Sequence, residues 1–91
     1  HGESLGENGL WEHNHMVRTN LRVPLLLCWP GGLPAGRRVE ALVETVDLVP
    51  TVCELLGLEP PLVEEPDDRG RIDCQSLVPL VRGEVERRRE I

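Results

Sequence analysis

The sequence contains no lysine, phenylalanine or tyrosine, and Trp11 and Trp29 are its only large aromatic residues. A core would have to be built from leucine and valine, so we expect these 91 residues to be poorly soluble or molten on their own. The ten basic residues are all arginine and stand against 16 acidic ones, which gives a net charge of −6. Binding to nucleic acid needs a basic face, so this balance argues against such a partner.

Long apolar runs are also missing. Pro24 and Pro30 interrupt the longest one, which stays well short of the roughly 20 residues that a transmembrane helix needs. The three cysteines are widely spaced and odd in number, so they cannot form a closed set of disulfides within the chain.

The apolar run that is present predicts strands. Residues 21–29 (LRVPLLLCW) are typical of a short strand buried on both faces, and residues 39–46 alternate loosely as a second strand would. Residues 31–38 lie between them as a loop. Strands of this kind belong to sheets covered by helices.

Two helices are predicted after these strands. Asp47 is expected to cap a helix over residues 48–56 that ends at Gly57, with Leu48, Val52, Leu55 and Leu56 on one face. A second helix is expected from Ser76 to Arg82, ending at Gly83. Residues 59–71, rich in proline and acids, predict an exposed loop.

The N-terminal segment is rich in groups that carry chemistry. His1, His13 and His15 lie within 15 residues, but they lack the paired spacing of a self-contained zinc site. Glu3 and Glu7 lie near His1, where they could orient it or contact a substrate. Acids in a glycine-rich loop are more often simply solvated.

Five short motifs follow one another along the chain: residues 1–3 (HGE), 6–11 (GENGLW), 21–25 (LRVPL), 46–51 (VDLVPT) and 73–77 (DCQSL). Their series resembles the type I sulfatases of the alkaline phosphatase superfamily, in which Asp-His-Gly-Glu precedes Gly-Glu-His-Gly-Leu-Trp. A series that extends over residues 1–83 is far more specific than one short motif.

The resemblance implies an α/β fold, a fragment of an alkaline phosphatase-like sandwich in which helices flank a mixed β-sheet. Residues 1–83 would be the C-terminal portion of a sulfatase-like catalytic domain truncated at its N-terminus, and residues 84–91 a charged tail. The family also uses a divalent metal, usually Ca²⁺, and a formylglycine made from Cys or Ser in Cys/Ser-x-Pro-x-Arg. Cys28 does not begin that motif because Gly32 replaces the arginine, so we expect Cys28 to be a buried, inert thiol and the nucleophile to lie upstream.

The resemblance also assigns roles to the histidines. His1 matches a metal-binding histidine of the family. Twelve residues later, where the family places a lysine that contacts the sulfate and the leaving oxygen, this chain has His13. An imidazolium can donate to an ester oxygen or act as a general acid, so His13 is expected to be catalytic and substrate-binding. His15 is a second substrate-binding candidate if the loop shifts by one or two residues.

The function implied is hydrolysis of a small-molecule or carbohydrate sulfate ester, with the isolated segment inactive. Phosphodiester or phosphonate hydrolysis is an alternative, because sulfate and phosphate esters share a tetrahedral anionic centre. A non-catalytic binding or scaffold protein with a sulfatase-like surface is another.

Overall fold

The N-terminal part of the chain forms a small hairpin and a single helical turn. The computed structural model describes residues 1–60 and 74–86. Strands β1 (Ser4–Leu5) and β2 (Trp11–Glu12) pair antiparallel across a 3-10 turn at Glu7–Gly9. Helix α1 (Arg18–Leu21) follows and lies against the start of the chain through the backbone hydrogen bond from Gly2 N to Asn20 O, 2.8 Å long.

The second part of the chain is helical. A 3-10 turn at Thr45–Asp47 leads into α2 (Leu48–Leu56), and α3 (Val78–Arg82) contacts α2. Together with the hairpin, these helices make a small α/β arrangement, as predicted for the class of fold. None of the helices in residues 1–60 and 74–86 is long and apolar enough to cross a membrane.

The predicted ends of both helices are confirmed. Gly57 and Gly83 follow α2 and α3 in the left-handed conformation, with φ of 68° and 78°. Each glycine lets the chain turn back so that following N–H groups bond the last carbonyls, as Leu58 N does to Cys53 O at 2.8 Å. The second helix begins at Val78 rather than Ser76, and the Ser76 hydroxyl accepts a hydrogen bond from Val78 N at 3.2 Å.

The apolar face predicted for α2 is not its most buried side. Val52 and Leu56 are 49% and 59% exposed, whereas Thr51 is 1% exposed. Thr51 points inward because its hydroxyl donates to the carbonyl of Asp47 and accepts from Leu77 N at 2.8 Å. A hydrogen-bonding requirement, not apolarity, therefore sets which side of α2 faces inward.

Asp47 also caps a different element from the one predicted. Its side chain makes no capping bond to the first turn of α2. Instead one carboxylate oxygen accepts from Glu44 N at 3.0 Å and the other from Gln75 N at 2.9 Å. Asp47 and Thr51 thus bind the backbone of residues 75–77 through side-chain oxygens, and we call these contacts the Asp47–Thr51 clamp.

The strands predicted at residues 21–29 and 39–46 are not formed. Residues 22–44 contain no helix or strand, and Leu26 is 86% exposed. A strand is stable only when a neighbouring strand takes its backbone hydrogen bonds, and the described residues offer no such partner to this segment. Cys28, expected to be buried in that strand, is exposed for the same reason.

The apolar core is small. In residues 1–60 and 74–86 the buried apolar side chains are Leu77, Val78 and Leu80, all from the segment that the Asp47–Thr51 clamp holds. The predicted loop at residues 59–71 and the charged tail at 84–91 lie largely outside the described residues.

We expect Thr51→Val to destabilise the protein by about 1–3 kcal/mol, because it removes the acceptor of the buried Leu77 N–H without changing side-chain size. Thr51→Ser keeps the hydroxyl and should cost much less. The measurement is a chemical-denaturation midpoint on the full-length protein. Thr45→Val is the control, since Thr45 is exposed, and an equal midpoint for both valine variants would show that the hydroxyl bond does not stabilise this fold.

Candidate functional site

The hairpin brings the first residues of the chain against the residues that follow β2. Ser4 pairs with Glu12 and Leu5 with Trp11. Glu3 and His13 lie directly beyond this ladder, which ends at Glu12, where the backbone is left-handed with φ of 68°. Two strands of two residues each are therefore sufficient to bring together groups ten residues apart.

The turn of the hairpin is held by its own backbone and by Glu7. Gly6 N donates to Leu10 O at 2.9 Å, and Leu5 N donates to a Glu7 carboxylate oxygen at 2.6 Å. Hydrogen bonds from the backbone N–H groups of Glu7 itself and of Leu5 stabilise the carboxylate and lower the pKa of Glu7. Glu7 is therefore a turn residue, and its carboxylate stays ionised at neutral pH.

Three side chains form an exposed cluster at the open end of the hairpin. Nδ1 of His13 lies 2.6 Å from Oε1 of Glu3. The ring of His1 stacks on the ring of His13 with centroids 4.2 Å apart and planes inclined by 16°. We refer to His1, Glu3 and His13 as the His–Glu cluster, and each can offer a ligand atom within 4.8 Å of the others.

Beneath the cluster lies a buried polar group centred on Asn20 in α1. Asn20 is 2% exposed; its side-chain oxygen accepts from Ser4 Oγ at 2.7 Å, and its amide nitrogen donates to His15 O at 2.9 Å. Ser4, 1% exposed, also lies 2.8 Å from the hydroxyl of Thr19. Asn20 thus ties α1 both to β1 and to the loop that carries the histidines.

The start of the chain runs unusually close to α1. A Cβ atom at Gly2 would overlap the backbone carbonyl oxygen of Thr19. Only glycine fits this approach without moving the backbone. Gly2 therefore allows the chain to pass close enough to α1 for the side chains of His1 and Glu3 to reach the cluster.

The structure brings together two of the three histidines singled out in the sequence. His1 and His13 are in contact, while His15 contributes its backbone carbonyl to Asn20 and is not part of the His–Glu cluster. The sequence did not identify Asn20 or Ser4 as site residues, and it left Glu3 between an orienting role and simple solvation. Glu3 and His13 are neighbours because of the two-residue strands β1 and β2, which were not predicted from the sequence.

The cluster alone does not make a calcium site. Calcium takes six to eight oxygen ligands, and the cluster offers one carboxylate, already bonded to His13, and two imidazoles. Nitrogen lone pairs lie in the ring planes, so two nearly parallel stacked rings cannot both direct them at one ion. His1 fits the role of a single imidazole ligand, whereas the three residues do not fit that of a complete cage.

A cleft of about 740 Å³ lies elsewhere, between residues 22–27, residues 37–43 and α3. Aliphatic side chains such as Leu25, Val39 and Leu80 form most of its wall, and three arginines also line it: Arg22, Arg37 and Arg38. None of the His–Glu cluster lines this cleft, so the two are separate features of the structure.

Sequence comparisons identify the class of protein to which this site belongs. The family model described as N-sulphoglucosamine sulphohydrolase, C-terminal, matches residues 6–91. Arylsulfatase D of Homo sapiens is 38% identical over 86 residues, which cover 91% of this chain and 14% of that protein. Choline-sulfatase of Rhizobium meliloti (strain 1021) is 38% identical over 87 residues, covering 96% of this chain and 15% of that protein.

Steryl-sulfatase of Rattus norvegicus is 36% identical over 83 residues, or 89% of this chain and 13% of that protein. The chain belongs to the sulfatase family, as the resemblance predicted. More narrowly, the model that matches it describes a C-terminal part, and the chain spans about one-seventh of the length of arylsulfatase D, 14%. No solved structure matches it.

We expect Asn20→Ala to destabilise the hairpin and helix α1 by about 1–3 kcal/mol, because the buried Ser4 hydroxyl and the His15 carbonyl each lose a partner. Amide hydrogen exchange at Gly2, whose N–H bonds Asn20 O, should quicken in the full-length protein. Asn14→Ala, at an exposed position in the same loop, is the control. Slow exchange at Gly2 in both variants would show that the Asn20 side chain does not hold the site.

Proposed function

We propose that the full-length protein hydrolyses sulfate esters of a small molecule or carbohydrate, with the His–Glu cluster at its reaction centre. The observation that carries this proposal is the contact of His1 and His13, twelve residues apart, on one exposed edge of the hairpin. The chain belongs to the sulfatase family, and arylsulfatase D, choline-sulfatase and steryl-sulfatase are named for sulfate esters of different alcohols.

His13 would be the residue that handles the leaving oxygen. Its side chain is 42% exposed, so a substrate can reach the ring edge that does not face Glu3. In the imidazolium form, Nε2 carries a proton that it can donate to the bridging ester oxygen. As the S–O bond breaks, that proton would pass to the alcohol oxygen, which leaves as a neutral hydroxyl. His15 stays a predicted substrate contact.

His1 would give one imidazole nitrogen to a divalent cation, Ca²⁺ by resemblance to the family. The cation, when bound, would neutralise charge on the sulfate oxygens. Its oxygen ligands and the formylglycine nucleophile are expected from parts of the protein beyond residues 1–91. In the full-length protein, the exposed apolar segment at residues 22–29 would join the β-sheet of an alkaline phosphatase-like sandwich. That sheet would supply the strand partners that the described residues do not.

We expect His13→Ala to lower kcat for an aryl sulfate by about 100- to 10,000-fold, because it removes the proton donor to the leaving oxygen. His13→Lys should restore part of the activity by returning a cation to the same place. Steady-state kinetics of the full-length enzyme give the result, with Asn14→Ala as the control for the loop.

Unchanged turnover in His13→Ala would discard this role. The same kinetics with an aryl phosphodiester decide between reaction classes. A higher kcat/KM for the phosphodiester than for the sulfate would assign the protein to phosphoryl transfer. A protein active on neither would be a binding or scaffold protein.

We expect His1→Ala to lower metal affinity by at least about 100-fold, since even residues outside the ligand shell commonly contribute 10- to 100-fold. Metal content after dialysis against a chelator, measured by elemental analysis of the full-length protein, tests this. His15→Ala is the matched imidazole deletion and should keep its metal. Equal metal content in the two variants would show that His1 is not a ligand.

A further inference from the structure

The contact between Glu3 and His13 is a built feature of the hairpin rather than a chance meeting of two surface side chains. The pair Ser4–Glu12 is the last of the ladder, and Glu3 and His13 are the residues next to it, with Glu12 in the left-handed conformation at φ of 68°. The distance from Oε1 of Glu3 to Nδ1 of His13, 2.6 Å, is that of a strong, charge-assisted hydrogen bond. Gly2 and Asn20 fix the backbone on the Glu3 side, and Asn20 also holds the His15 carbonyl beyond His13.

This contact determines which ring nitrogen of His13 faces outward. An ionised carboxylate only accepts hydrogen bonds, so Nδ1 of His13 must carry the proton between the two groups. Nε2 is then the nitrogen left for other partners. In the neutral ring Nε2 is an acceptor, and in the imidazolium it is a donor.

A second contact keeps the ring from turning. The ring of His1 lies flat against one face of His13, with the centroids 4.2 Å apart. Rotating the imidazole by half a turn would carry Nδ1 away from Glu3. One edge of His13 is therefore held by Glu3, one face is covered by His1, and the edge that bears Nε2 remains for the substrate.

The need for such an orienting group follows from having histidine at this position. A lysine ammonium has three donors on a flexible stem and can meet an oxygen from many directions, whereas an imidazole has one useful nitrogen in one plane. Histidines that transfer protons or bind metals are commonly oriented by an acceptor at their second nitrogen.

We propose that Glu3 is a positioning residue for His13: its carboxylate holds Nδ1–H and presents Nε2 to the leaving oxygen of the substrate. This inference rests on the proposed function, because it gives Glu3 no role apart from His13. Glu3 touches neither the ester nor the reacting atoms in this account.

The test is a double-mutant cycle in the full-length enzyme, assayed with an aryl sulfate. Glu3→Gln is expected to lower kcat by about 10- to 100-fold with a smaller change in KM, because a neutral amide oxygen is a weaker acceptor than a carboxylate for the Nδ1–H of the imidazolium and holds the ring less firmly with Nε2 toward the ester. In the His13→Ala background the same substitution should change kcat by less than about twofold, since it acts through His13. Glu12→Gln, the same change at an exposed acid beside His13, should leave kcat unchanged.

A spectroscopic readout separates positioning from general loss of structure. At a pH where the His13 ring is neutral, long-range ¹H–¹⁵N correlation should show the Nδ1–H tautomer in the unmodified protein and a mixture in Glu3→Gln, because the glutamine amide can also donate to Nδ1. Glu3→Asp, which keeps a carboxylate, should return part of both the tautomer preference and kcat.

Three outcomes would overturn the inference: full activity in Glu3→Gln, an equal loss in Glu12→Gln, or an equal loss from Glu3→Gln with and without His13. The last result would make Glu3 an independent participant, such as a metal ligand. If His13→Ala is itself fully active, the proposed function of His13 fails first. If His13→Ala is inactive while Glu3→Gln is not, only the positioning role fails.

Discussion

The buried hydrogen bonds of Asn20 are the interaction on which the candidate site depends. Asn20 joins β1 through Ser4, the histidine loop through the His15 carbonyl, and the start of the chain through Gly2 N. A hairpin with two residues in each strand has too few ladder bonds to be stable by itself. The single turn of α1 is equally short, so each of these elements persists because Asn20 connects it to the others.

The helical part of the chain is likewise held together by hydrogen bonds from buried polar side chains to the backbone. Asp47 and Thr51 are each 1% exposed, and their oxygens bind backbone N–H groups of Gln75 and Leu77. A chain with no phenylalanine or tyrosine has little apolar volume with which to fix one packing arrangement. Hydrogen bonds from buried polar side chains to the backbone specify the arrangement instead. Breaking one of them destabilises the fold, because it leaves a buried polar group without a partner.

The sequence predicted the features that depend on residues close together along the chain. The bounds of the helix at Leu48–Leu56 and its glycine stop were predicted from residues within a dozen positions, although the Asp47 side chain caps the preceding 3-10 turn and not this helix. The strand at residues 21–29 failed because a strand is defined by its neighbour, and the described residues contain no partner for it. The inward turn of Thr51 also escaped prediction, since it depends on Leu77, 26 residues away. In the candidate site, the family resemblance singled out His1 and His13, whereas Asn20 is visible only once the fold brings three segments together.

His13 stands where the resemblance to the family implies a lysine, and this difference links the local structure to the proposed chemistry. A cation that hydrates strongly and rotates freely needs only to be near an anionic oxygen, and it tolerates an imprecise scaffold. An imidazole must be aimed, and aiming requires both an acceptor at the far nitrogen and a surface against the ring face. The first fifteen residues supply both, since Glu3 and His1 lie one and three residues before β1. The short elements at the start of the chain must therefore fix the orientation of the His13 ring, which a lysine would not require. The buried amide of Asn20 makes these elements rigid enough to do so.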